Sequence, residues 1–218
     1  MQSVNLFNSS AGASGLNLQE QIVYAARVSN PSNQNNFDTS EKLIGYLIKH
    51  KHWSPFEMVS ACLEIDTTRD IARQLLRHRS FSFQEFSQRY ADPISDLAFT
   101  IRETRLQDPK NRQNSVMNSD YALESAWVAK QQQIIHECQL AYKWAIENGI
   151  AKEQARSVLP EGNTNSRLYV NGTLRSWIHY IELRTKPGTQ KEHMELAEMC
   201  ADALEPVFPM IHDFVYKP

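Results

Sequence analysis

Arg77-His78-Arg79-Ser80-Phe81-Ser82-Phe83-Gln84-Glu85-Phe86-Ser87-Gln88-Arg89-Tyr90 is the stretch on which the reading of this chain turns. It packs three arginines, a histidine, a glutamate and three serines into fourteen residues, beside aromatic side chains that anchor it. A solvated face needs no such density. Arginine carries a rigid, permanently charged fork of donors matched to phosphate and carboxylate oxygens, and serine adds small hydroxyls at close range. The segment is read as built to hold anions.

The residues before it support it. Thr67 or Thr68 is placed to cap a helix whose Ile71, Ala72, Leu75 and Leu76 form an apolar face, while Arg69, Arg73 and Arg77 recur every four residues on another. Further upstream, Val59, Ala61, Leu63 and Ile65 alternate with the period of a half-buried strand. Residues 3–7 predict a first strand, and the Ser/Gly/Ala-rich stretch 9–15 a loop. Asn17 with Glu20 makes a capping box for a first helix, and Asp38 and Glu41 open a second.

Downstream, residues 92–118 are polar and punctuated by proline, too long for a plain connector and so functional or mobile. A long helix spans about 119–148 and stops at Gly149, and a shorter one ends at Pro160. Arg167–Val170 reads as a strand, about 173–183 as a helix, and Thr189 with Glu192 caps a last helix reaching Pro206. The class is α+β: a central, mostly antiparallel sheet flanked by helices, with helix at very roughly 45% against 15% strand. One domain covers 1–218.

Composition narrows the function. Basic and acidic side chains number 23 and 25, a net charge of −2, so no global field recruits nucleic acid or an anionic membrane, and the arginine cluster is a local device. No apolar run is long enough for a membrane span, and the N-terminus has no signal-peptide pattern, which places the protein in the cytoplasm. Cys62, Cys138 and Cys200 sit apart in apolar patterns and read as buried small hydrophobes. His50 and His52 lack a third ligand at a recognisable spacing, so no metal is expected. With only seven glycines and no Gly-x-Gly-x-x-Gly, any dinucleotide must meet side chains rather than a glycine-rich turn.

Arg-His-Arg followed by Ser and then Glu-x-Ser-x-Arg-Tyr resembles the signature of the flavin-dependent thymidylate synthases, which make dTMP from dUMP with reduced flavin and methylenetetrahydrofolate. Three more segments extend the resemblance over about residues 17–205: His52-Trp53-Ser54-Pro55-Phe56-Glu57, Ala155-Arg156-Ser157-Val158-Leu159-Pro160, and the run from Thr173 to Arg184. Lys110–Ser115 is a weaker echo without an assigned role. The chain departs from the family pattern at Gln84, Thr173 and His179, where Asn is usual, and at Met58 and Gly188, where His is frequent.

The resemblance implies FAD as cofactor, NADPH and 5,10-methylenetetrahydrofolate as co-substrates, dUMP as substrate, and a homotetramer whose subunits share active sites. It places Gln74, Arg77, Glu85, Phe86, Ser87, Gln88, Arg89, Arg156 and Arg184 against dUMP. It places Ser29, Ser54, Glu57, Arg77, His78, Arg79, Gln84, Glu85, Thr173, Arg175 and His179 against FAD. Arg184, with Arg156, is the candidate for polarising the uracil ring, with His52 and Ser87 completing the catalytic set. Ser87 has no evident activating base. Arg175, His179 and Arg184, four and five residues apart, are read as one functional face of a helix. The competing reading is a nucleic-acid-binding protein, with Arg69, Arg73, Arg77 and Arg79 tracking phosphates and Phe81, Phe83 and Phe86 stacking on bases.

Overall fold

The computed structural model describes residues 2–217. Chain order is β1 (Ser3–Ser9), α1 (Leu18–Ala26), α2 (Ser40–Lys49), β2 (Ser60–Thr68), α3 (Arg69–Leu75), β3 (Ser82–Glu85), α4 (Pro93–Asp96), β4 (Arg105–Gln107), β5 (Ser115–Met117), α5 (Tyr121–Glu147), α6 (Lys152–Ala155), β6 (Asn165–Thr173), α7 (Leu174–Arg184) and α8 (Lys191–Leu204). Short 3₁₀ turns lie at Ser54–Glu57, Arg156–Val158 and elsewhere. The expected α+β class holds, and every pair in the four-stranded sheet β1-β2-β6-β3 is antiparallel.

The alternation in β2 and β6 decides which face is covered. Ala61, Leu63 and Ile65 stand opposite Gly172, Val170 and Leu168, all fully buried or nearly so beneath α7 and α8 with Trp177, Ile178, Leu196 and Leu204. The other face is polar: Arg167 grips Asp66 with two bonds of 2.8 Å, and the Tyr169 hydroxyl donates to Glu64 at 2.6 Å. Such cross-strand pairs fix register from that side. Gly172 is demanded by packing, because a Cβ there would lie 2.3 Å from Phe81 Cδ1.

Local rules hold at several ends. Asn17 and Glu20 form the capping box of α1, and Gly149, at φ +75°, follows the end of α5. Others are corrected. Thr39 sits at the N-cap of α2, but its hydroxyl is taken by the buried Arg27 at 2.7 Å. Gln190, not Thr189, precedes α8, and Glu192 bonds Gln190 and arginines rather than closing a capping box. Residues 92–118, expected to be more than a plain connector, do carry structure of their own: β4 and β5 make a hairpin whose tip is organised by Asp108, which accepts from the backbone N–H of Lys110 and Asn111 at 2.7 and 3.1 Å.

α5 stands apart. Of its 27 residues only Gln131, Tyr142 and Ala145 are buried, while Trp127, Ile134, Leu140 and Trp144 are exposed. No helix among the described residues is long and apolar enough to cross a membrane.

Candidate active site

Because Ile71, Ala72 and Leu75 lock α3 onto the sheet, the arginines of that helix are held in place. They do not form one stripe. Arg69, only 8% exposed, reaches Glu85 and Glu161 at 3.4 Å each, and Arg73 bonds Glu161 at 2.8 Å. Glu85 also accepts from the Ser166 hydroxyl at 2.8 Å, so its carboxylate ties the signature strand to β6. Arg77 and Arg79, in the turn that follows, are exposed and have no side-chain partner in the described structure. Two arginines are engaged by the fold and two are open to an anion.

Between the open pair, His78 turns inward. Arg184 Nε donates to His78 Nε2 at 2.9 Å, and since a guanidinium can only donate, the His78 proton must sit on Nδ1. Burial and then the Arg184 charge push the His78 pKa down to about 4, so the ring is neutral at pH 7. Its edge faces Tyr180 with centroids 5.0 Å apart. Behind it lies His193, fully buried, with Nδ1 3.2 Å from Gln74 Oε1, while Gln74 Nε2 donates to Gln190 at 2.8 Å. Burial, then Arg184 and His78, depress the His193 pKa to about 3.

A second cluster lies on the other side of α7. Arg175 pairs with Glu57, and Trp53 meets the His179 ring edge-on at 5.0 Å. Burial, then Arg175, lowers the His179 pKa. The expectation of one face shared with Arg184 is corrected here: at about 100° per residue, nine residues separate Arg175 from Arg184 by half a turn. One helix thus serves two groups. Ser54 starts the 3₁₀ turn that carries Glu57, and Lys51, at φ +55°, turns the chain into His52. The His52 ring is exposed, 6.1 Å from those of Tyr46 and His50, and contacts neither cluster.

The end of the signature joins a third group. Arg89 lies 3.3 Å from the Glu153 carboxylate, Arg156 Nε donates to the Glu153 carbonyl at 3.3 Å, and Lys152 donates to the Tyr90 carbonyl at 3.0 Å. Arg89 and Arg156 are therefore brought together at α6. Beside them Gln88 is 4% exposed, and its Nε2 is a buried donor with no partner among the described residues. Ser87 Oγ accepts from the Arg89 N–H at 3.4 Å and touches no histidine or carboxylate that would activate it. Phe86 N–H donates to Arg167 at 2.8 Å, prolonging the β3–β6 pairing, and Gln84 is exposed on β3. Thr173 Oγ1 caps α7 through the Ser176 N–H, and Ser29 is exposed in the turn after α1.

Glu161, Glu153, Gln190 and His193 were missed by sequence reasoning, since only their distant partners reveal them. Cys62 and Cys200 are buried as expected, but Cys138 is corrected: it is only half-buried on the largely exposed α5. Desolvation raises all three thiol pKa values, with the Glu137 charge adding to it at Cys138, so none offers a thiolate. Beside Gln190 opens a cavity of about 1000 Å³, bordered by the hairpin tip through Arg112 and Asn114 and by Gly188, Lys191 and Tyr216; Arg184 does not line it.

Residues 15–210 match a family model described as thymidylate synthase complementing protein. The chain is 48% identical over 198 residues to a probable flavin-dependent thymidylate synthase of Paramecium bursaria Chlorella virus 1, covering 90% of each chain. It is 46% identical over 190 residues to the flavin-dependent thymidylate synthase of a Synechocystis strain, covering 87% of this chain and 86% of that one. Among solved structures, a UMP/dUMP methylase, PolB, from Streptomyces cacaoi, bound with 5-Br dUMP, superposes with a TM-score of 0.83 at 28% identity, covering 98% of this chain and 94% of that one.

Proposed function

Since the chain belongs to the flavin-dependent thymidylate synthase family, we propose that it converts dUMP to dTMP with methylenetetrahydrofolate as one-carbon donor and releases tetrahydrofolate. The observation that carries the residue-level reading is Arg184 held by a directional bond to a neutral His78, between two unpaired arginines.

The donor set fits a flavin dinucleotide. Arg77 and Arg79 offer uncompensated charge to a pyrophosphate, while Ser54, Glu57, Arg175 and His179 form a mixed donor and acceptor wall suited to ribose and ring edges. FAD, reduced by NADPH, supplies the hydride that ends in the new methyl group. Gln74, Ser87 and Arg89 hold the dUMP phosphate, with the orphaned Gln88 amide as a further donor. Arg184, with Arg156, faces the C2/N3/C4 edge of the uracil and stabilises the electron-rich ring that attacks the one-carbon unit. No thiolate adds at C6, because none of the three thiols is poised to ionise.

Arg184, the Glu57 group and the Arg89–Arg156 group lie in separate clusters, and α5 leaves several large apolar side chains uncovered. Both features support a homotetramer in which the clusters of neighbouring subunits complete one another, a state that sedimentation analysis tests directly. Three free thiols fit a reducing cytoplasm. Nothing favours the nucleic-acid reading, since Arg69 and Arg73 of its stripe are tied to Glu161 and Glu85.

The deciding experiment follows the folate. Purified protein carries bound FAD, and its NADPH-reduced form with dUMP and methylenetetrahydrofolate yields dTMP and tetrahydrofolate in equal amounts. Dihydrofolate as the stoichiometric product would mean that folate supplied the hydride and would refute the proposal.

A further inference from the structure

Side-chain amides have two orientations, and which one Gln74 adopts is settled several residues away. Burial would raise the Glu192 pKa, yet the bonds from Arg105 and Gln190 outweigh it and bring the pKa down to about 2, so this side chain is an ionised acceptor. Arg102 adds a contact at 3.3 Å. Gln190, 2.9 Å away, must then present its N–H to Glu192 and its carbonyl to Gln74. Gln74 in turn donates to Gln190 at 2.8 Å, which leaves its own carbonyl facing His193. An amide oxygen can only accept, so His193 carries its proton on Nδ1. Every link runs in one direction: His193 donates to Gln74, Gln74 to Gln190, Gln190 to Glu192.

The arrangement costs something elsewhere. Among the described residues His193 Nε2 is left as a buried acceptor with no partner, and the Tyr180 hydroxyl, whose ring centroid lies 5.7 Å away, is likewise unpartnered. A group held at such expense needs a reason beyond packing, since an apolar ring fills the same space without the penalty.

We propose that His193 is a positioning residue: its Nδ1–H pins the Gln74 carbonyl, so that the second Gln74 N–H is the group shown to ligand and the site takes an acceptor, the phosphate of a nucleoside monophosphate. This rests on the reading of Gln74 as a dUMP contact. Reversal of the Gln74 amide would present a carbonyl to that phosphate and repel it.

The test measures dUMP binding to the FAD-loaded enzyme by calorimetry. His193→Phe keeps a ring but removes the donor, and dUMP binding should weaken about tenfold, the equivalent of one such bond. FAD content and kcat at saturating dUMP should stay within about twofold, and His193→Gln, which restores an N–H donor, should recover part of the affinity. In a Gln74→Ala background the same substitution should have no further effect on Kd, because a positioning residue acts through what it positions. Unchanged dUMP affinity in folded His193→Phe, or full additivity with Gln74→Ala, overturns the inference. If His193→Phe does not fold, Gln190→Leu, which cuts the chain at an exposed link, decides by the same measure: weakened dUMP binding supports the inference and unchanged binding overturns it. Failure of the wild-type enzyme to bind dUMP overturns the reading of the site and the inference together, whereas intact wild-type binding with indifferent variants overturns the inference alone.

Discussion

Arg69 and Arg73 differ from Arg77 and Arg79 in nothing but surroundings. The first pair lies on α3 within reach of Glu85 and Glu161, one of them almost fully buried, and braces the signature strand against the turn before β6. The second pair lies just beyond the helix, with no carboxylate of the described residues in range. Charge on an exposed, unpaired guanidinium adds little to a fold, while charge on a buried one demands a partner. An arginine-rich segment is therefore divided by where acidic residues from elsewhere in the chain arrive, and the division separates frame from site.

The sharpest way to probe that division is an arginine that belongs to the site yet is partly enclosed. Arg184 donates to His78 and pairs with no carboxylate among the described residues. Arg184→Lys keeps the charge but loses the planar fork, and transition-state stabilisation should fall by about 2 to 4 kcal/mol, as for one preorganised donor. Thermal unfolding should change little. Near-normal kcat in a folded variant removes Arg184 from catalysis and moves it to the frame.

Arg69→Ala should do the reverse. It leaves Glu85 facing the strand without its cation, and removing one member of a largely buried pair costs stability, here about 2 to 3 kcal/mol because Glu85 retains some solvent and the Ser166 bond. Denaturant midpoints read the loss, and bound-ligand affinity per folded molecule should hold. If stability is unchanged, the paired arginines are not structural and the comparison fails.

Acid probes the neutral histidine wedged behind these arginines. His193 has a folded pKa of about 3, below the ordinary value of 6.5, so the unfolded chain takes up the proton first. Stability is therefore present above pH 6.5 and drains as pH falls toward 3, with about 2 kcal/mol lost between pH 6.5 and 4.5. The ionised acids with lowered pKa values, such as Asp66 and Glu192, give way only at lower pH, which leaves this window to histidine. His78, with a folded pKa of about 4, and His179, also lowered, titrate in the same window, so His193→Phe should remove about half of the slope there, and an unchanged slope would mean that His193 does not contribute to it.

What could be read from sequence follows the range of the interactions. The capping box at Asn17 and Glu20, the alternation in β2 and the stop at Gly149 are set by neighbours a few residues away, and the structure bears them out. β3 escaped because its stretch was read for chemistry, although Phe81 and Phe83 alternate with Ser82 and Gln84 in the strand period. The shared face of Arg175 and Arg184 was an error of helix geometry that counting at 100° per residue removes. Glu161 and His193 had no local signal at all: Arg69 meets Glu161 across 92 positions, and His193 meets Gln74 across 119.

The smallest effect expected is also the most selective. Arg77→Ala and Arg79→Ala remove guanidiniums that touch no other described side chain, so folding stability should stay within about 0.5 kcal/mol of the wild type. Each should nevertheless weaken FAD binding by about tenfold, the worth of one charge-assisted contact to a phosphate that solvent partly screens. The loss should shrink as salt rises, because the contact lies at the surface. Flavin titration of the apoprotein at two ionic strengths checks both statements. Loss of stability with intact FAD affinity would place these arginines with Arg69 and Arg73 in the frame, most simply across a subunit boundary, and the line between the two pairs would then be drawn by assembly rather than by ligand.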